Sequence, residues 1–217
     1  AKVLLNNKEV ATIEKGQAEI KDVVWHQGME VQLDFKTAGD SLKSDTYQIA
    51  ANEFLADDYN ADSYASEINL NFDHVQSEAD VQNFLDNLYS DLSGYTSRYG
   101  SFGSSQRSEL AEYFVNGLGN ADEKDFEKFI NDIRTSDKKS RVDAKAKVES
   151  VSLTGKDIYT VQYLIYYDTV YTDDTEDVSQ VFRYKKATLR YDEDDATFQI
   201  DNLGGAENFE TVDSGGV

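Results

Sequence analysis

Five residues, Asp58-Tyr59-Asn60-Ala61-Asp62, put oxygen-bearing side chains at alternate positions, as the opening of an EF-hand calcium loop does. The rest of the loop departs from that pattern. Ser63 stands where the sharp turn needs glycine and Asn69 where a bidentate glutamate belongs, with Glu67 the nearest carboxylate. Asp58, Asn60, Asp62 and Glu67 are therefore a calcium candidate, set against the plainer reading of an acidic solvated loop. The 2 histidines, His26 and His74, flank turns or boundaries, whereas a Ser-His-Asp relay needs a histidine buried against a carboxylate. With 0 cysteines the chain has no disulfide framework, thiolate metal site or cysteine nucleophile. Aromatic side chains offer other chemistry. Tyr163, Tyr167, Tyr184 and Tyr191 could stack on a glycan or amphiphile, and Arg183 with Lys185 could mark a basic spot for an anionic polymer. The plainer reading makes the tyrosines core and the two cations a balance to the acidic turn Asp173 to Asp177.

These tyrosines are held by residues 158–191, read as two long strands joined by that turn. Tyr159, Val161, Tyr163, Ile165 and Tyr167 alternate with Thr160, Gln162, Leu164 and Tyr166, so one sheet face is aromatic and branched. In the second strand Phe182 and Tyr184 share one parity, while Ala187, Leu189 and Tyr191 take the other. One extra residue at Lys185-Lys186, a β-bulge, restores a continuous inner face and bends the sheet. A curved sheet has a concave side that helices must cover or leave as a pocket.

Upstream of residue 75 the pattern is β. Val3 and Leu5, Val10 and Thr12, Ile20 to Trp25, Val31 to Phe35, Leu42 to Ile49, and Ile68 to Phe72 read as short strands of a small β-sandwich or meander. From Ser77 the period becomes helical. Ser77 with Asp80 forms a capping box ahead of Val81, Phe84, Leu85, Leu88 and Leu92. A second helix carries Leu110, Phe114 and Leu118, and a third carries Phe126, Phe129, Ile130 and Ile133. Strands through Val142 to Val148, through the long pair, and through Phe198 and Ile200 complete the domain, leaving the tail from Glu210 frayed. The expected fold is α+β: a small all-β domain at 1–75, then three helices on a curved four-stranded antiparallel sheet at 76–217.

The net charge of −21 disfavours nucleic acid and anionic membrane surfaces, both of which need clustered cations. Neither part is basic: residues 1–75 hold 6 basic and 14 acidic side chains, and the remainder 15 and 28. No apolar run is long enough to span a bilayer, and Ala1 leads straight into a strand, as expected of a fragment of a longer chain.

The helix–helix–helix–sheet order resembles the cone-shaped fold of nuclear transport factor two, which hosts isomerases, dehydratases and plain binding modules. The succession KVLLNNKEVATIEKGQAEIKDVVWHQGMEVQLDF, DSLKSDTYQI, then a domain ending RYKKATLRYDEDDATFQIDNL, resembles the C-terminal half of the TcaA/YvbJ family, envelope proteins of Gram-positive bacteria. The resemblance implies a cytoplasmic zinc ribbon and one membrane helix further upstream, with extracytoplasmic domains associated with the cell wall and with responses to wall-directed antibiotics. It implies no catalytic residue and no cofactor. The expectation is a non-enzymatic module binding a wall polymer or another envelope protein, reaching the membrane only through that upstream anchor. The alternatives are an assembly subunit of a conjugation machine of the TcpC type, or a small-molecule enzyme using the cone. The expected inner face holds no Asp, Glu or His, so enzymatic use is not expected; a deep pocket with a buried Asp or His would overturn the binding reading in its favour.

Overall fold

The structure is a computed structural model, and it describes residues 1–14, 17–21, 23–24, 26–36, 41–50, 68–70, 72, 75–172 and 176–212. The chain divides into two compact units, Ala1–Val75 and Gln76–Val217.

In the first unit β1 (Lys2–Leu5) and β2 (Lys8–Thr12) form a hairpin around Asn6 and Asn7. Both asparagines have positive φ (48° and 63°), the pair of left-handed residues that a two-residue hairpin loop requires. β3 (Glu30–Lys36) pairs with β1 and with β4 (Ser41–Gln48), giving one antiparallel sheet of order β2-β1-β3-β4. Among the described residues this is neither a sandwich nor a meander, because β3 returns to the far side of β1 instead of beside β2. Its core is Val3, Leu5, Met29, Val31 and Ile49.

Among the described residues of two further expected strands, Ile20 to Trp25 and Ile68 to Phe72, none joins a ladder. Ile20, Val23, Ile68 and Leu70 pack against the core without ladder pairing, and Val24 is 86% exposed. The alternation keeps its parity in β3, with Val31 and Leu33 toward the core, but Asp34 on the other face is buried as well, where it accepts a hydrogen bond from the Ser41 hydroxyl; the register shift beside it places an extra residue on β4.

The second unit opens with α1 (Glu78–Thr96), started by the capping box of Ser77 and Asp80. α2 (Ser104–Glu112) is shorter than expected: Phe114 lies beyond it, bridged to Ile200, and Leu118 sits 57% exposed in the 3-10 turn Gly117–Gly119. α3 (Ala121–Arg134) is capped by the Asn120 side chain. Then come β5 (Lys139–Gly155), β6 (Ile158–Tyr171), β7 (Val178–Asp192) and β8 (Thr197–Asn202), in that spatial order and antiparallel throughout. A short helix α4 (Gly205–Asn208) leads into β9 (Phe209–Val212), which pairs with β7 as a fifth strand. The curled sheet is thus five-stranded, not four, and residues 210–212 of the supposed frayed tail are strand.

Register confirms the bulge in β7. Tyr163 pairs with Tyr184 and Val161 with Ala187, so two steps on β6 match three on β7, and the extra residue falls at Lys185-Lys186. Ala187 and Leu189 consequently return to the buried face with Val161, Tyr163 and Ile165.

The open edge of β5 is closed by α1 side chains. Gln82 accepts from the Val148 amide (2.8 Å) and donates to the Ala146 carbonyl (3.0 Å). Ser93 Oγ accepts from Ala144 N (2.8 Å), and Thr96 Oγ1 accepts from Val142 N (3.1 Å). An edge that could template pairing with another chain is thereby satisfied internally.

Candidate functional site

Between α3 and the inner face of the sheet lies a cavity of about 430 Å³. Phe126, Phe129 and Ile133 of α3 form one wall; Tyr167, Thr169, Gln180, Phe182 and Tyr184 of β6 and β7 form the other; Leu203, α4 and Phe209 close one side. The walls are rigid because the rings brace one another. Phe182 stacks on Phe209 at 4.7 Å, Tyr184 meets Phe209 at 4.9 Å, and Phe129 meets Tyr167 at 5.5 Å. Gly204, at φ 83°, makes the left-handed turn into α4, where an added Cβ would come within 2.7 Å of Asn208.

Polar groups enter this apolar space at few points. Burial raises the Tyr167 and Tyr184 hydroxyls well above the ordinary phenol range, and the Asp122 and Asp125 carboxylates add to the shift at Tyr184. Such hydroxyls stay protonated and act as donors. Asp122, half-buried in the first turn of α3, accepts the Leu203 N–H at 2.9 Å. Its pKa is nevertheless raised, by desolvation first and by Asp125 as well, the Leu203 bond opposing. Asp125 is exposed at the rim. Lys139 lines the cavity too, from the start of β5.

Of the residues singled out from sequence, the cavity gathers Tyr167 and Tyr184. Tyr163 is fully buried behind them, stacked on Tyr184 at 5.1 Å with its hydroxyl 3.1 Å from that of Tyr89. Tyr191 lies elsewhere on the inner face, against Phe198 at 5.1 Å. Arg183 and Lys185 are on the opposite face. The Arg183 guanidinium donates to both oxygens of Glu149 (2.7 and 2.9 Å) and to Glu210 (3.0 Å), which Lys185 approaches at 3.8 Å. Among the described residues their partners are Glu149 and Glu210, and Arg183 first, then Gln162, holds Glu149 below the ordinary carboxylate range. Sequence reading missed Asp122, Asp125 and Lys139. A signal existed: Asp122 and Asp125 lie at i−4 from Phe126 and Phe129, so they continue the apolar stripe of α3 toward its N-terminus.

Away from the cavity, His26 is an exposed turn residue whose Nδ1 lies 3.0 Å from the Gln27 carbonyl oxygen. His74 and the calcium candidate Asp58, Asn60, Asp62 and Glu67 lie outside the described residues. Among the described residues no group of His, Cys, Asp and Glu could hold a metal ion.

These features define a two-unit protein: a small β-domain, then an α+β domain with an aromatic cavity under its curled sheet. Residues 1–70 match the family model described as TcaA protein 3rd/4th domain, so the chain is TcaA-like through its first unit. That family consists of membrane-associated envelope proteins. Comparison with curated proteins and with solved structures gives no match. Among the described residues no helix is long and apolar enough to cross a membrane.

Proposed function

We propose that the chain is a non-enzymatic, extracytoplasmic binding module of a membrane-anchored Gram-positive envelope protein, and that its second unit takes a wall component or a segment of another envelope protein into the cavity beneath the sheet. The observation that carries the reading is the cavity itself. Its volume lies within the usual range for ligand sites, its walls are aromatic, and a few polar groups converge on it. Helices α1 to α3 against a curled antiparallel sheet fit the cone-shaped fold of nuclear transport factor two, whose concave side serves this purpose. The TcaA-like first unit supports the envelope setting and, through it, a link to wall-directed antibiotics.

One observation favours a second reading. Asp122 brings into the cavity an ionisable group that the sheet face lacks, and its raised pKa is the tuning a general acid needs. Against enzymatic use stands its Leu203 hydrogen bond, which ties one oxygen to the main chain, and the tyrosine hydroxyls beside it stay protonated, leaving no phenolate to act as a base. The conjugation-subunit alternative shares the cone and differs in partner.

The test is sedimentation of the purified chain with whole Gram-positive cell walls, intact and stripped of anionic polymers, at two salt concentrations. Binding lost on stripping identifies a polymer ligand, and binding retained identifies the peptidoglycan. No binding to either contradicts the wall reading and moves the weight to a protein partner.

A further inference from the structure

The charges of the cavity are sorted along its length. Asp122 and Asp125 occupy the first turn of α3 and Ile133 its last, about 16 Å further on at 1.5 Å per residue. Lys139 follows beyond Ile133. The sheet gives the same order: Tyr184 pairs with Tyr163 near the middle of β6, while Lys139 pairs with Tyr171 at its end. Both carboxylates act on the Tyr184 hydroxyl, and neither is among the charges acting on Tyr167, four pairs closer to Lys139 along the ladder. Carboxylates therefore stand at one end and an ammonium at the other. Among the described residues none of the three makes an ion pair.

Between these ends the wall is not plain hydrocarbon. The Tyr184 and Tyr167 hydroxyls, the Gln180 amide and the Thr169 hydroxyl punctuate the aromatic surface. A fatty amine would leave those groups without partners, at a desolvation cost, whereas amide groups spaced along an extended chain would meet them. Aromatic faces near paired carboxylates also favour an ammonium group over a neutral end.

Resting on the proposal that this cavity is the ligand site, we infer that it takes a short extended peptide, with the ammonium end at Asp122 and Asp125 and the carboxylate end at Lys139. At about 3.4 Å per residue, a 16 Å span corresponds to about five residues.

The experiment is an amide-resolved NMR titration of the whole chain with Ala-Ala-Leu-Ala-Ala carrying free termini, with its N-acetyl form, with its C-terminal amide, and with decylamine. The free peptide is expected to move cavity resonances. Acetylation and amidation should each weaken binding about tenfold, the loss of one charge-assisted contact. The acetylation penalty should vanish in the Asp122→Asn/Asp125→Asn variant and the amidation penalty in Lys139→Met, each variant keeping the wild-type spectrum outside the cavity. Blocked peptides binding as tightly as the free one would overturn the end assignment while leaving the cavity a binding site. Decylamine binding as well as the peptide would overturn the peptide class. If no probe moves any cavity resonance, the reading of the cavity as a ligand site falls with the inference.

Discussion

Glu123 offers the sharpest test of the packing between α2 and α3. It sits in the first turn of α3, 1% exposed, and neither carboxylate oxygen has a hydrogen-bond partner. The charges that act on it are Glu127 and Lys124 of its own helix and Arg107 of α2, and Arg107 is already paired with Glu127 at 3.1 Å. Burial first, then Glu127, raises its pKa above the ordinary 4.5. The folded state consequently binds this proton more tightly than the unfolded chain. Its contribution is most favourable below pH 4.5 and is lost as pH rises through the folded value. Replacing Glu123 by Met removes the stranded carboxylate at similar volume. Relief of about 1–3 kcal/mol of desolvation is opposed by about 0.3–1 kcal/mol of lost attraction to the helix N-terminus. The net expectation at pH 7 is a gain of about 1–2 kcal/mol, shrinking toward zero near pH 4. The assay is urea unfolding of the whole chain at both pH values, followed by tyrosine near-UV circular dichroism. Of the 14 tyrosines, 11 lie in the second unit, so the signal reports chiefly on that unit. A Met variant that is less stable at pH 7, or whose advantage is the same at pH 4, would refute the reasoning.

Four further outcomes are expected. Thr96→Val keeps the shape but strands the Val142 N–H and C=O that Thr96 Oγ1 now serves, and should cost about 2–4 kcal/mol in the same unfolding assay. Ser77→Ala should cost about 1 kcal/mol by opening the α1 capping box; because the Ser77 bonds hold Asp80 below its ordinary 3.8, that contribution is present above pH 3.8 and fades as pH falls through the lowered value. Inserting one alanine after Lys186 puts Ala187, Leu189 and Tyr191 one residue out of step with β6 and turns them to the outer face, so the tyrosine signal of the second unit should lose its cooperative transition. Glu149→Gln should flatten the acid limb of stability, because a carboxylate held low by Arg183 stabilises the fold above the ordinary carboxylate range and ceases to as pH falls below it.

Much of the second unit was legible from side-chain periodicity alone. The change of parity between Tyr184 and Ala187 marks the bulge, since an inner face must stay continuous, and Ser77 with Asp80 marks the start of α1. What escaped depended on contacts distant in sequence. Phe209 to Val212 carry no strong strand pattern and become a strand only because β7 offers an edge. Ile68 and Leu70 alternate like a strand, yet they fill the first core without a ladder. Half of the cavity was foreseeable, because its sheet wall is a run of aromatics. The other half belongs to α3, where Asp122 and Asp125 look like ordinary residues of an acidic first turn until the sheet is placed beneath them. For Arg183 and Lys185 the sequence offers the acidic run 173–177 as partner, and Glu149 and Glu210, distant in sequence, reach them across strands.

The most direct test of the account compares wall binding by the wild-type chain and by Ala206→Trp. Ala206 is exposed on α4 and lines the cavity, so the indole can fill the opening without entering the core. The account predicts an unchanged unfolding transition and loss of wall binding. Undiminished binding by this variant would contradict the claim that the cavity is where the ligand sits.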